Sequence, residues 1–371
     1  MNNKILLNTI YKTNNYGAIL QSYGLFKELS KYGDVEMLDL KNNHIDNGFK
    51  QIRYGSTLKS IFSTLKDLVR FKSRKLLIQR LKYFIKTNFI ETSKVDKIGN
   101  NLKNKYTHFI TGSDQIWNPS CISNNNFLDP RYFFDGIQSE NIFAYCSSRG
   151  SYNYSENEKK LIYKYLSRFK KITVREKDFK SFLKNDLKFE CETVMDPSFF
   201  ITKSELNYLS NNNNINKIPN RYILVYTVPK ASSLNNIAGI IKKKLGLEVI
   251  LIDQDIFNIK NADLILKSCS IGDFLFLFRN AEFILTDSFH GTCFSLIYEK
   301  QFIIPDIGSL ANRIKSLLSI FKIDDRIMKK NYTHGSIIEL IESGIDYKQI
   351  SPMVSDEIQR SRKVVESFFK N

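Results

Sequence analysis

Short runs of strand-forming apolar residues alternate with helix-patterned segments along most of this chain, and the alternation is broken at one place. Positions 4–10, 35–40, 107–111, 142–147 and 172–175 read as strands, with a first crossover helix over 19–31. Such alternation specifies parallel sheets, because two strands running the same way need a long crossover, which a helix supplies. The break is a polar tract at 207–220 that contains Asn211 to Asn214 and ends near Pro219, a composition suited to a linker. Beyond it the pattern restarts, with strands at 222–228, 247–252, 283–286 and 302–304 and helices near 233–244, 270–280, 292–299 and 311–321. A chain of 371 residues, 42% of them hydrophobic, fills two cores of ordinary size. The expected fold class is α/β with two parallel-sheet domains.

No apolar run reaches the roughly eighteen residues of a membrane-spanning helix, and the start reads as a first strand rather than a signal peptide, so the expected location is cytoplasmic. Cys121, Cys146, Cys191, Cys269 and Cys293 lack CxxC spacing and paired histidines, which argues against a zinc site and a disulfide framework. The formal charge of +17 is concentrated. Between Lys59 and Lys105 stand thirteen Lys and Arg, against Asp67, Glu91 and Asp96 alone, so 58–105 is a basic helical segment. Within it Leu58, Ile61, Phe62, Leu65, Leu68 and Val69 recur at helical spacing, with Lys59, Lys66, Arg70, Lys72, Arg74 and Lys75 nearby. Such a helix either packs on a core with a solvated basic face or lies peripherally on an anionic membrane, apolar stripe down. Nucleic acid is not expected: the basic residues lack a zinc-finger, RRM-like or helix-turn-helix context, and the aromatics are not interleaved with them.

The stretch FILTDSFHGTCFS at 283–295 concentrates chemistry. An apolar strand breaks at Thr286-Asp287-Ser288, and a helix-compatible run begins after Gly291, which places His290 on a strand-to-helix turn. Carboxyl ends of parallel strands open into crevices, and a helix start offers N–H groups to an anion. An imidazole there can act as acid or base near neutral pH. Alternatively, His290 bonds the turn backbone and Asp287 caps the helix.

Three stretches precede this turn in order: NNYGAILQSY at 14–23, TGSDQIWNP at 111–119, and TVREK at 173–177 followed by MDPS at 195–198. Together with the histidine turn they resemble the polysaccharide pyruvyl transferase family over roughly residues 4–325. The resemblance implies two Rossmann-like parallel-sheet domains facing a cleft, the GT-B type. The implied arrangement is an acceptor-side domain at 1–206, a linker at 207–220, a donor-side domain at 221–350, and a C-terminal helix at 351–371 returning to the first domain. The implied activity moves the enolpyruvyl group of phosphoenolpyruvate onto two sugar hydroxyls, forming a pyruvate ketal and releasing phosphate. Phosphoenolpyruvate is then a co-substrate, and no cofactor or metal is expected. The acceptor is a saccharide of a cell-surface polymer, in some cases polyprenyl-diphosphate-linked, which lends the membrane-surface reading of the basic helix support.

Under that implication His290 is the general acid/base, Arg175 the fork that clamps the donor's anionic groups, and Asp114 an orienting or second basic carboxylate. Ser288, Gly291 and Arg313 join the donor side, with Lys300 as a competing cation, while Asn15, Gly17, Gln21, Ser113, Gln115 and Trp117 shape the acceptor side. Each has a structural alternative: Arg175 could pair with Glu176 or Asp178, Trp117 could be core, and Arg313 or Lys300 could be solvated surface charges. Relatives often carry ASFG where this chain has Cys146-Ser147-Ser148-Arg149-Gly150, which leaves the acceptor open. A sugar-nucleotide glycosyltransferase on the same scaffold and a catalytically inactive glycan-binding relative are the rival readings.

Overall fold

The computed structural model describes residues 3–54, 58–215, 217–228, 230–255 and 259–370. Met1 and Asn2, part of the strand expected at the start, lie outside the described residues. Strands β1 (Asn3–Asn8), β2 (Gly33–Met37), β3 (His108–Thr111), β4 (Ile142–Ser147), β5 (Lys171–Val174) and β6 (Glu192–Thr193) form one sheet in the order β2-β1-β3-β4-β5-β6. Strands β7 (Tyr222–Tyr226), β8 (Glu248–Ile252), β9 (Leu264–Leu266), β10 (Phe283–Thr286) and β11 (Gln301–Ile303) form a second, ordered β11-β10-β7-β8-β9. Every ladder in both sheets is parallel. Every residue of β3, β4, β7 and β10 is buried, as expected of parallel strands covered on both faces, and this is why they stand out as unbroken apolar runs. The short edge strands β6 and β9 are only half-buried and give no such run.

The first sheet belongs to a unit made of Met1–Gly48, Ile85–Ile201 and Met353–Asn371; the second belongs to a unit made of Phe49–Phe84 and Thr202–Pro352. The boundary after Ile201 precedes the expected one because 207–220 is not all linker: helix Lys203–Asn211 occupies its start, nucleated by a capping box between Thr202 and Glu205. The basic segment was expected in the first domain, and its larger helical part is instead in the second unit. There helix α1 (Leu58–Val69) and helix α2 (Phe71–Asn88) are tied by polar contacts. Arg70 Nη1 donates to the Gln254 carbonyl at 2.8 Å, Lys66 pairs with Asp255 at 3.2 Å, and Arg80 pairs with Asp273 at 3.1 Å. At the C-terminus, helix α3 (Tyr347–Glu366) leads to Phe368, which stacks on Phe143 of β4 at 4.7 Å. Ser361 Oγ accepts from the Met195 backbone N–H at 2.9 Å, so this segment completes the first unit.

Two predictions follow from these packings. Phe368 is buried, and Phe368→Ala is expected to destabilise the first unit by about 3 kcal/mol in chemical denaturation. Asp67 is fully buried; burial alone would raise its pKa, but hydrogen bonds from Arg53 and Arg70 prevail and bring it from 3.8 down to about 2. A depressed carboxylate contributes stability that is complete above its unfolded pKa and disappears as pH falls through the folded one. Hydrogen-exchange protection over Leu58–Val69, taken relative to the intrinsic rate at each pH, is therefore expected to fall between about pH 4 and pH 2, and Asp67→Asn to abolish that step.

Candidate functional site

Strand order reverses at one place in each sheet: between β7 and β10 in the second unit, and between β1 and β3 in the first. These switch points part the connections on either side and open a crevice at the strands' carboxyl ends.

In the second unit the turn after β10 closes on the loop after β7. The Asp287 carboxylate accepts from Thr227 Oγ1, Val228 N and Ala231 N, each at 2.8 Å. Burial pushes this carboxyl above its ordinary value, while those donors pull the other way. Asp287 is thus not the helix cap; Ser288 is, accepting from Gly291 N at 3.3 Å. Helix α4 (Phe289–Ile297) starts before Gly291, so His290 lies inside its first turn rather than ahead of it. A Cβ on Gly291 would collide with Thr286 Oγ1, so this glycine serves the close approach of helix to strand. His290 is 5% exposed and meets the Phe289 ring edge-on at 5.3 Å. The Arg313 guanidinium stands 5.6 Å from the centre of that same ring, from a helix, Asn312–Leu318, that follows β11. Ser288, His290, Gly291 and Arg313 therefore share one neighbourhood. Lys300 does not. It precedes Gln301, which pairs with Phe283 at the opposite, amino-terminal end of these strands, and Tyr347 bonds its carbonyl there. Lys300 is corrected from the donor side for that reason. Lys230, paired with Asp253 at 2.8 Å beside the Asp287 turn, is a cation that sequence reasoning missed, because the pair becomes visible only once β7 and β8 are neighbours.

In the first unit, Asn15 caps helix α5 (Tyr16–Leu29) by accepting from Gly17 N and Ala18 N at 3.0 and 3.3 Å. Gln21 and Ser113 are fully buried and bonded to each other, and Gln21 also contacts Thr9 Oγ1. They join β1 to β3 and present nothing to solvent, so both are corrected from sugar contacts to internal ties. Trp117 is likewise corrected: it is fully buried, stacked on Phe133 at 5.1 Å and edge-on to Phe179, a core residue rather than a sugar platform. Gln115 remains half-exposed beside Gly150.

Arg175 requires the largest revision. Its side chain is 3% exposed and paired with Asp196 at 3.0 Å and Asp114 at 3.5 Å, instead of Glu176 or Asp178. A guanidinium flanked by two carboxylates ties the ends of β3, β5 and β6 by charge, and Arg175 is corrected from donor clamp to internal ion pair. Asp178 pairs instead with Arg149, whose guanidinium lies over the Phe182 ring at 4.7 Å; the charge in the CSSRG loop is turned onto the protein's own surface. Arg175→Met is expected to cost about 3–5 kcal/mol of stability by stranding Asp114 and Asp196, measured by chemical denaturation. A change in ligand affinity with unaltered stability would contradict the tie.

The sequence matches the family model described as polysaccharide pyruvyl transferase over residues 15–304. No curated protein matches the chain significantly. Among solved structures, the chain is similar to the UDP-GlcNAc 2-epimerase from Neisseria meningitidis bound to UDP-GlcNAc, at 10% identity and TM-score 0.50, covering 99% of each chain. It is also similar to the UDP-GlcNAc 2-epimerase from Methanocaldococcus jannaschii, at 13% identity and TM-score 0.50, covering 91% of each. At such identities the likeness concerns fold, and the fold is of the GT-B type, with two parallel-sheet α/β domains. The match takes in strands β2 to β11 and the histidine turn, and the chain belongs to the polysaccharide pyruvyl transferase family.

Proposed function

We propose that this protein transfers the enolpyruvyl group of phosphoenolpyruvate onto two hydroxyls of a sugar, in a cell-surface polysaccharide or its lipid-linked precursor, forming a cyclic pyruvate ketal and releasing phosphate. One observation carries the reading within the family: His290 sits in the first turn of α4 at the β7/β10 switch point, with Arg313 across the Phe289 ring.

The chemistry needs a proton donor, a base and anion binders. Protonation of the donor's methylene carbon uses the double-bond electrons and leaves the neighbouring carbon electrophilic. One sugar hydroxyl bonds that carbon and gives up its proton. The bond to the phosphate oxygen then breaks, its electrons leaving with phosphate, and the second hydroxyl closes the ring as its proton passes to a base. Two hydroxyls and one phosphoenolpyruvate yield one ketal and one inorganic phosphate, with no change in overall oxidation state. In this scheme His290 moves the proton, while Arg313, Ser288 and the first-turn N–H groups of α4 hold the anionic donor. On the first unit, Asn15, Gly17 and Gln115 are the residues assigned to the acceptor, with Asp114 beside them in its pair with Arg175.

Phosphoenolpyruvate at about 100 times its Kd is expected to stabilise the protein by about 2.7 kcal/mol in a thermal-shift assay. His290→Ala is expected to keep that shift and lose at least about a hundredfold in phosphate release. Full activity in His290→Ala would remove the histidine from the mechanism. Stabilisation by UDP-GlcNAc, with none by phosphoenolpyruvate, would replace the reading with a sugar-nucleotide enzyme.

A further inference from the structure

Helix α1 is mounted with its polar side inward. Asp67 is fully buried, held by Arg53 at 2.8 Å and Arg70 at 2.9 Å, with Arg74 at 3.8 Å. Arg74 Nε also donates to the Lys50 carbonyl, Thr64 Oγ1 donates to the Arg53 carbonyl, and Lys66 reaches Asp255. All these contacts lie within the second unit. At 100° per residue, Lys66, Asp67 and Arg70 share one side of the helix, and Ile61, Phe62, Leu65, Leu68 and Val69 share the other. That apolar side faces solvent: Ile61 is 48% exposed, Leu65 56% and Val69 75%. The side chains of Leu58 and Lys59, also part of the sequence pattern, fall outside the described ones.

Helix α2 continues the surface with charge. Lys72, Lys75 and Lys82 are exposed on one side with Leu76 and Tyr83 between them, while Leu77, Leu81 and Phe84 are buried on the other. Across the two helices the sequence contains one carboxylate, Asp67, and it is the buried one. Exposed side chains of the two helices thus include both apolar groups and lysines, and the one acid of these helices is buried.

We infer that this face is a docking surface for an anionic lipid bilayer, with the apolar side of α1 entering the headgroup boundary and the lysines of α2 meeting lipid phosphates. Charge decides between occupants. A second copy of this chain, net charge +17, would bring its own lysines against Lys72 and Lys75, whereas an anionic bilayer supplies phosphates and an apolar layer together. Among the described residues no helix is long and apolar enough to cross a membrane, so the contact is peripheral.

The test is co-sedimentation of the full chain with phosphatidylcholine vesicles, either pure or containing roughly three-tenths phosphatidylglycerol. The expected result is at least about tenfold more binding to the anionic vesicles, weakened by salt. Leu65→Glu with Val69→Glu is expected to remove at least about tenfold of that binding, as is Lys72→Glu with Lys75→Glu, with the Asp67 ties and thermal melting unchanged. Equal binding to both vesicle types, or no loss in either double variant, would overturn the inference. So would an oligomer in size-exclusion chromatography that Leu65→Glu with Val69→Glu converts to monomer, because a second copy would then be the occupant. If the glutamate variants fail to melt as wild type does, Leu65→Ser with Val69→Ser supplies the same readout without added charge.

Discussion

In an all-parallel sheet every strand delivers its carboxyl end to the same edge, and the following loop must turn back before the chain can continue. Where strand order reverses, the two flanking loops diverge and expose backbone N–H groups that need partners. Both units solve this with a side chain that reaches across the reversal. In the second, Asp287 after β10 accepts from the 227–231 loop after β7. In the first, Thr9 after β1 donates to the Ser113 carbonyl after β3 at 3.1 Å. A crevice at such a reversal lies beside its clamp, and His290 follows Asp287 by three residues.

The clamps also explain which charged residues are free to do chemistry. Arg175, Asp196 and Asp67 are deeply buried charges, and each is engaged in internal pairing. Removing a charge from water costs several kcal/mol unless a partner and further hydrogen bonds offset it, so buried ions come in sets that a ligand cannot easily displace. Under the proposed reading, an anionic donor is better served by the half-buried Arg313 than by charges already enclosed with their partners.

Much of the framework was legible because it rests on local signals. Strands such as β4, β7 and β10 are covered on both faces, so their apolar runs mark them within a residue or two, whereas α5 starts at Tyr16, ahead of the expected 19, because Asn15 caps it. The site was less legible because its residues are assigned by partners distant in sequence. Nothing near Arg175 announces Asp114, sixty-one positions away, and the neighbouring Glu176 is instead engaged by Ser148. Trp117 stands in a motif rich in polar residues, yet the aromatic cluster of Phe133, Phe169 and Phe179 encloses it. Lys300 illustrates a different error: lying next to a short strand says little until it is known at which end of the strand the residue stands.

Helix α1 shows how far periodicity carries and where it stops. An amphipathic pattern states that a helix has two faces and leaves open which one the protein takes for itself. Ordinarily apolar burial settles the matter, since each fully buried leucine or phenylalanine contributes about 1.5–3 kcal/mol. Here the polar face is taken in, because one aspartate placed among three arginines and the Lys50 and Gln254 carbonyls gives that side a satisfied network. Turning the helix over would take Asp67 away from Arg74, which is itself buried, and leave that cation uncompensated at a cost of about 3–5 kcal/mol. The single acidic residue of α1 thus fixes the orientation of this helix.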